Sequence, residues 1–485
     1  MMSSARAIIA GITTAFLAAG IPLAVIAQVP ARSPERGDAA VSPAPREAVA
    51  RTDALLARWN SDSTPGCVVG AARNGEQVFA KAYGMADLER NVPLSVTSVL
   101  EAGSVSKQFA AAATVLLAEE GKLSLDDDIR RYLPEVPDYG ETITIRHLLN
   151  HTSGLRDWGS VASIAGQGRG LRAYTNDHAL EIVSRQRALN YPPGREYSYT
   201  NSGYNLLAII IERVSGERFA AFTERRIFRP LGMKDTQWRD DPRRIVPRRA
   251  MAYGGNVERG WTVDQPHEFV HGNGGLLTTV ADLMRWDQAR STGGLGGSKF
   301  RETMEERGVL NDGTQITYAA GLQVDTLAGL RSVAHTGSTG GYRAYLARYP
   351  ERGVTVVMLC NAGDVSPGSA GGEVARAFLG LPAGRPALVR ASSVERQNLP
   401  PARVEELVGE YYSPDAATRL TLRLENGQLI ARRPPVDDFP LTAAGDEEFT
   451  SRLGRIRFIR AADGSVVQLS VQASRVYDLR FDRVK

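Results

Sequence analysis

Cysteine is almost missing from this chain. Two occur in 485 residues, too few for a disulfide-built scaffold or a four-thiolate zinc site. Cys67 and Cys360 each lie in an apolar, strand-like run without a nearby histidine, so neither reads as a nucleophile. The expectation is two small buried hydrophobes, with a disulfide as the alternative in an oxidising compartment. Lysine is scarce too: six of the 58 basic residues, the rest being arginine. The net charge is only +4, and the arginine pairs that begin at 130, 225, 243, 248 and 432 are scattered and lack interleaved aromatics. That pattern describes a solvated surface, and no nucleic-acid partner is expected. There is no Gly-x-Ser-x-Gly elbow and no Gly-x-x-x-x-Gly-Lys phosphate loop. His147 and His151 stand four apart, but Leu148 takes the place of the glutamate in His-Glu-x-x-His and no third ligand is evident. No metal or other cofactor is expected.

Long apolar runs are confined to the N-terminus. One arginine within residues 1–6, an uncharged stretch over 7–21, Pro22, and Val25-Ile26-Ala27 at a cleavage site read as a secretory signal peptide over 1–27. The alternative is an uncleaved anchor, since residues 7–27 just reach the length of a membrane span. The protein is expected to be periplasmic or secreted, without stable membrane insertion once the signal is removed. Residues 28–46 are rich in Pro, Ala, Ser and charge and read as disordered. The 43% of hydrophobic residues can bury a large core.

What is present centres on Ser104 and Lys107. They stand three apart at the start of a predicted helix that runs to Glu120 and ends at Gly121, so the amine can reach the hydroxyl on one face. A serine hydroxyl becomes a nucleophile only when something takes its proton, and a helix N-terminus favours a developing oxyanion. A lone Ser-x-x-Lys is a weak signal. Two further motifs follow in order, however: Tyr199-Thr200-Asn201, and His335-Thr336-Gly337 before Ser338-Thr339-Gly340-Gly341.

This ordered set is a variant of Ser-x-x-Lys, Ser-Asp-Asn and Lys-Thr-Gly. Over roughly residues 65–379 the chain resembles the serine hydrolase group of class C β-lactamases, D-alanyl-D-alanine carboxypeptidases, D-aminopeptidases and family VIII esterases, the penicillin-binding-protein-like hydrolases. His147 to Leu155 and Gly274 to Thr279 look like structural signatures of that group. His335 stands where class C β-lactamases have lysine. A histidine is mostly uncharged at neutral pH, which argues against a dedicated β-lactamase.

The resemblance implies a β-lactamase/transpeptidase-like α/β (α+β) fold: an antiparallel sheet with flanking helices and a helical insertion over 47–380. Periodicity agrees, giving a helix over 48–59, a hairpin over 66–83 turning at Asn74-Gly75, a second hairpin over 342–359, and helices near 104–120, 145–150, 180–185, 202–214 and 280–290. A Pro/Ala/Arg/Ser-rich linker over 381–402 leads to 403–485, where alternating apolar residues with Asn426-Gly427 and Asp463-Gly464 turns mark a small all-β, lipocalin-like domain. No polar constellation there suggests catalysis; a stabilising appendage is expected, with covering the cleft or binding a partner as the alternative.

By the same resemblance Ser104 is the acyl-accepting nucleophile and Lys107 and Tyr199 form the proton relay, either of them being the base. Asn201 orients Lys107 and the substrate amide. His335, Thr336 and Gly337 line the sheet edge, and the N–H groups of Ser338 and Ser104 make the oxyanion hole. Arg343 reads as an exposed strand residue rather than a carboxylate ligand. The expected substrates are small esters, amides or D-amino-acid peptides, peptidoglycan-derived ones among them. The competing reading is a catalytically silent penicillin-recognising protein that binds peptidoglycan or a protein partner.

Overall fold

The computed structural model describes residues 45–384 and 401–484, apart from 436 and 446. The expected signal peptide, nearly all of the stretch read as disordered and most of the expected linker lie outside the described residues. At their margins, the helix Arg46–Leu56 begins at the last residue of the 28–46 stretch, and the helix Pro401–Glu405 starts in the last two residues of the expected linker and runs into the domain after it.

A six-stranded antiparallel sheet organises the larger part of the chain, in the order Gln323–Leu327, Leu330–Thr339, Tyr342–Tyr349, Val354–Cys360, Cys67–Arg73, Glu76–Tyr83. The N-terminal and late hairpins join because Cys67–Arg73 runs beside Val354–Cys360. Strand Val354–Cys360 is buried throughout; it lacks a polar alternation because helices cover both faces of the sheet. Val356, Met358 and Cys360 face the helices Arg46–Leu56 and Pro367–Phe378, while Val357 and Leu359 face the opposite layer with Val280 and Met284 of helix Val280–Thr292.

Cys67 and Cys360 are register partners on the first of these faces and form a disulfide. The expectation of two unlinked buried thiols is thereby corrected. Residues 293 apart in sequence were brought side by side by strand pairing, which no local pattern announces. Replacing both with alanine should lower the free energy of unfolding by about 2–5 kcal/mol, read from urea midpoints. An unchanged midpoint would show that the bond adds nothing to stability.

Helices were found at each predicted place, with Lys107–Glu119, Ile145–Leu149, Asn176–Ser184, Asn201–Ser215 and Val280–Thr292 as their observed bounds. Pro367–Phe378 was not anticipated, since Pro-Gly-Ser-Ala-Gly-Gly has poor helical propensity. Its proline sits in the first turn, where no N–H is needed. Ala370, Val374 and Phe378, spaced four apart, bury against the sheet.

The C-terminal part is a nine-stranded antiparallel sheet spanning Gly409–Ser413 to Val476–Arg483. Its first strand pairs with both the second and the last, and its two edges are the consecutive segments Asp437–Pro440 and Thr442–Ala443. The sheet is thus curled into a barrel-like form around Leu420, Leu422, Leu429, Ile456, Leu469 and Phe481. The described residues form one compact unit. A buried ion pair, Arg156 to Asp415 at 2.7 Å with both side chains under 5% exposed, fastens the barrel to the helical region, and Arg187 adds a second contact to Asp415 at 2.8 Å.

Candidate active site

Ser104 lies in a 3-10 turn, Gly103–Ser106, that precedes the α-helix Lys107–Glu119. The predicted α-helical first turn is therefore tighter than expected. At three residues per turn, positions i and i+3 eclipse, which sets Lys107 directly over Ser104. Lys107 Nζ is 3.2 Å from Ser104 Oγ. Helix Lys107–Glu119 carries Phe109, four consecutive alanines and Val115 to Leu117, all buried. An apolar surface on every side is what draws this helix, and the lysine at its start, into the interior.

The amine is fully buried and donates to Asn201 Oδ1 at 2.9 Å and to the Asn273 carbonyl at 2.8 Å. Burial holds its pKa well below the ordinary lysine value. The positive charges of Arg475 and Arg169 push the same way, and Asp157 opposes them. Asn201 opens the helix Asn201–Ser215, which Thr200 caps through Ser202 N. Asp157 Oδ2 accepts the Asn201 N–H at 2.7 Å, while its Oδ1 caps the earlier helix Trp158–Ile164 through Ser160 N at 3.0 Å. One carboxylate thus ties two helix starts together behind the amine.

Tyr199 packs its ring against His151, centroids 4.2 Å apart, with Lys107 Nζ 4.8 Å from the ring centre. Burial pushes the phenol up, and the Ser104 hydroxyl pulls the other way. Tyr199 therefore holds its proton at neutral pH, whereas Lys107 is disposed to lose one. His147 and His151 are spent on the backbone, their Nδ1 atoms accepting from Thr144 N at 3.2 Å and Thr200 N at 3.3 Å.

The third motif sits at a sheet edge. Strand Gln323–Leu327 stops pairing at Ala334, so from His335 to Thr339 that edge of the neighbouring strand has no strand beside it among the described residues. His335 is buried, with Nε2 2.8 Å from Tyr318 Oη and Nδ1 2.6 Å from the Thr336 oxygen. Burial and the nearby Lys107 push its pKa down to about 3, so it is neutral at pH 7. Thr339 and Tyr342 flank a two-residue turn. By the alternation of an antiparallel ladder, the Ser338 N–H then points away from strand Tyr342–Tyr349 and toward the cleft. The Ser104 N–H lies in the first turn of its helix, where no intrahelical acceptor exists.

Glycine lets these two N–H groups meet. A Cβ on Gly103, whose φ is +50°, would fall 2.7 Å from Ser338 N; one on Gly337 would fall 2.1 Å from the Ala102 oxygen and 3.0 Å from Ser104 N. The strand edge and the nucleophile turn therefore touch backbone to backbone.

All three motifs meet in a cleft of about 480 Å³ lined by Ser104, Tyr199, Asn201, His335, Thr336 and Ser338 among others. Lys107 lies just beneath it. Asn273 was missed in the sequence because it contributes a main-chain oxygen, and Asp157 because it acts from behind. Arg343 is corrected from an exposed residue to a half-buried one; its guanidinium is bound by the Gly340, Tyr342 and Gly363 carbonyls. The barrel, expected as an appendage with covering the cleft as the alternative, reaches the cleft: its Arg475 is in the lining, together with Arg169.

A hydroxyl, a buried amine one tight turn on, a protonated phenol and two inward N–H groups are the equipment of an active-site serine hydrolase. Residues 48–379 match the beta-lactamase family model, and the chain belongs to that family. Among its relatives, penicillin-binding protein 4* of Bacillus subtilis is 32% identical over 60% of this chain and 67% of its own length. A D-aminopeptidase of Gluconobacter oxydans is 27% identical over 74% of this chain and 68% of its own. The octameric penicillin-binding protein homologue from Pyrococcus abyssi shares the fold, with a TM-score of 0.60 and 22% identity over 89% of this chain and 98% of that one.

Proposed function

We propose that the protein hydrolyses amide or ester bonds of small D-amino-acid-containing substrates through an acyl-enzyme on Ser104. The observation that carries this reading is the 3.2 Å approach of a fully buried Lys107 amine to the Ser104 hydroxyl. Uncharged Lys107 takes the hydroxyl proton as Oγ bonds to the carbonyl carbon, and the carbonyl oxygen becomes an oxyanion held by the N–H groups of Ser104 and Ser338. Tyr199 gives its proton to the leaving nitrogen or oxygen and recovers one from the Lys107 ammonium as the carbonyl–leaving-group bond breaks. Water then attacks the ester, its proton passes to the same relay, and Ser104 is released. His335, Thr336 and Asn201 position the acyl group, and the preference for D-amino-acid-containing substrates follows the D-aminopeptidase relative.

Export through the 1–27 segment to an oxidising compartment, as a periplasmic or secreted enzyme, is part of the same proposal. The Cys67–Cys360 bond supports it.

Incubation with a fluorophosphonate probe should add a single adduct, mapped by mass spectrometry to the peptide that contains Ser104. An unlabelled protein would favour the silent penicillin-recognising reading; an adduct elsewhere would displace Ser104 as nucleophile.

A further inference from the structure

Arg475 reaches the cleft from the barrel, in the turn between strands Val466–Ala473 and Val476–Arg483. The turn is pinned to the hydrolase part by its main chain. The Arg475 carbonyl accepts from Asn190 Nδ2 at 3.0 Å and from Asp157 N at 3.4 Å, and Tyr477 N donates to Asn190 Oδ1 at 3.0 Å. A fixed backbone presents the side chain forward, and the guanidinium stands over the Tyr199 ring, 5.0 Å from its centre.

The charge at that position is only partly compensated, by a long ion pair to Asp157. Among the described residues the Arg475 N–H groups make no hydrogen bond. Their nearest carboxylate oxygen, Asp157 Oδ2 at 3.7 Å, is already taken by Asn201 N at 2.7 Å and Thr200 Oγ1 at 3.4 Å. Arg169, the other cation of the lining, is occupied by Glu268. Among the described residues no aspartate or glutamate lines the cleft. A guanidinium with free donors beside the nucleophile attracts a carboxylate in bidentate fashion and repels a substrate ammonium. Arg343, weighed for such a role from the sequence and set aside, has its donors committed to carbonyls.

We propose that Arg475 is a specificity residue supplied by the barrel, which binds a free carboxylate of the substrate next to the scissile bond. A peptide ending in a free acid is therefore preferred over its neutral amide and over substrates with an ammonium in that place. The barrel completes the substrate site and does not merely stabilise the chain. This rests on the Ser104 hydrolase reading for the identity of the scissile bond, though not for the binding itself.

Calorimetry on the full chain carrying Ser104→Ala, which separates binding from turnover, tests it with N-acetyl-D-alanyl-D-alanine and its C-terminal amide. The free acid should bind at least about tenfold more tightly than the amide, and that ratio should shrink as sodium chloride rises. Adding Arg475→Gln should bring the ratio to about one, Arg475→Lys should restore part of it, and Arg475→Glu should invert it. A purely structural role would weaken both ligands equally and leave the ratio intact. Equal affinities without the Arg475 change, or a ratio untouched by Arg475→Gln in a protein of native melting temperature, overturns the proposal. Failure of the fluorophosphonate to label Ser104 would instead sink the hydrolase reading, and the binding ratio would stand.

Discussion

Ser104→Ala should lower kcat/KM on any ester or amide the protein turns over by about 10⁴-fold or more, and Lys107→Gln by a comparable factor. The double variant should be little worse than either alone. In the proposed mechanism the hydroxyl and the amine act as one unit, since without the base the serine keeps its proton and without the serine the base has nothing to activate. Lys107 must be uncharged to accept that proton. Burial, with Arg475 and Arg169 reinforcing it against Asp157, holds its pKa well below the ordinary lysine range. Below the folded-state pKa the amine is an ammonium and cannot act, so kcat/KM falls as pH drops through that value and reaches its plateau above it. Arg475→Gln removes a repelling cation and should move this limb to higher pH. Retained turnover in Ser104→Ala, measured with p-nitrophenyl esters and D-amino-acid anilides, would place the chemistry elsewhere.

Gly337→Ala should cost about 10²–10³-fold in kcat, with less effect on KM. A methyl group at 337 would stand 2.1 Å from the Ala102 oxygen and 3.0 Å from Ser104 N. Both neighbours are backbone, so the strand edge must back away from the nucleophile turn. That displacement separates the N–H groups of Ser104 and Ser338, which must converge on one oxygen in the transition state and need not do so in the ground state. Labelling of Ser104 by the fluorophosphonate should slow in parallel. Normal kcat in a folded Gly337→Ala protein would show that the Ser338 N–H takes no part.

Much of the site was legible in the chain itself. Ser104 with Lys107, Tyr199 with Asn201, and His335 with Gly337 are short local patterns whose members lie within one turn or one strand segment, and each was found in the cleft. The uncharged state of His335 followed from the residue type, and burial reinforces it. Helices and strands with clear periodicity were readable for the same reason. Helix Pro367–Phe378 was not, because tertiary burial of Ala370, Val374 and Phe378 outweighs its poor intrinsic propensity.

Three features needed the fold. The disulfide depends on strands paired from opposite ends of the chain. The choice between Lys107 and Tyr199 as base depends on desolvation, which drives the amine toward neutrality and the phenol toward keeping its proton. Arg475 occupies an ordinary hairpin turn of the barrel, and only the docking through Asn190, Asp157 and Asp415 brings it beside Ser104. Sequence alone determined which reactive groups the protein owns and which neighbours within a turn they have, since local spacing fixes local geometry. Tertiary structure decided their burial, the backbone N–H groups set against them and the charge of the cleft, since each depends on what packs against them from remote parts of the chain.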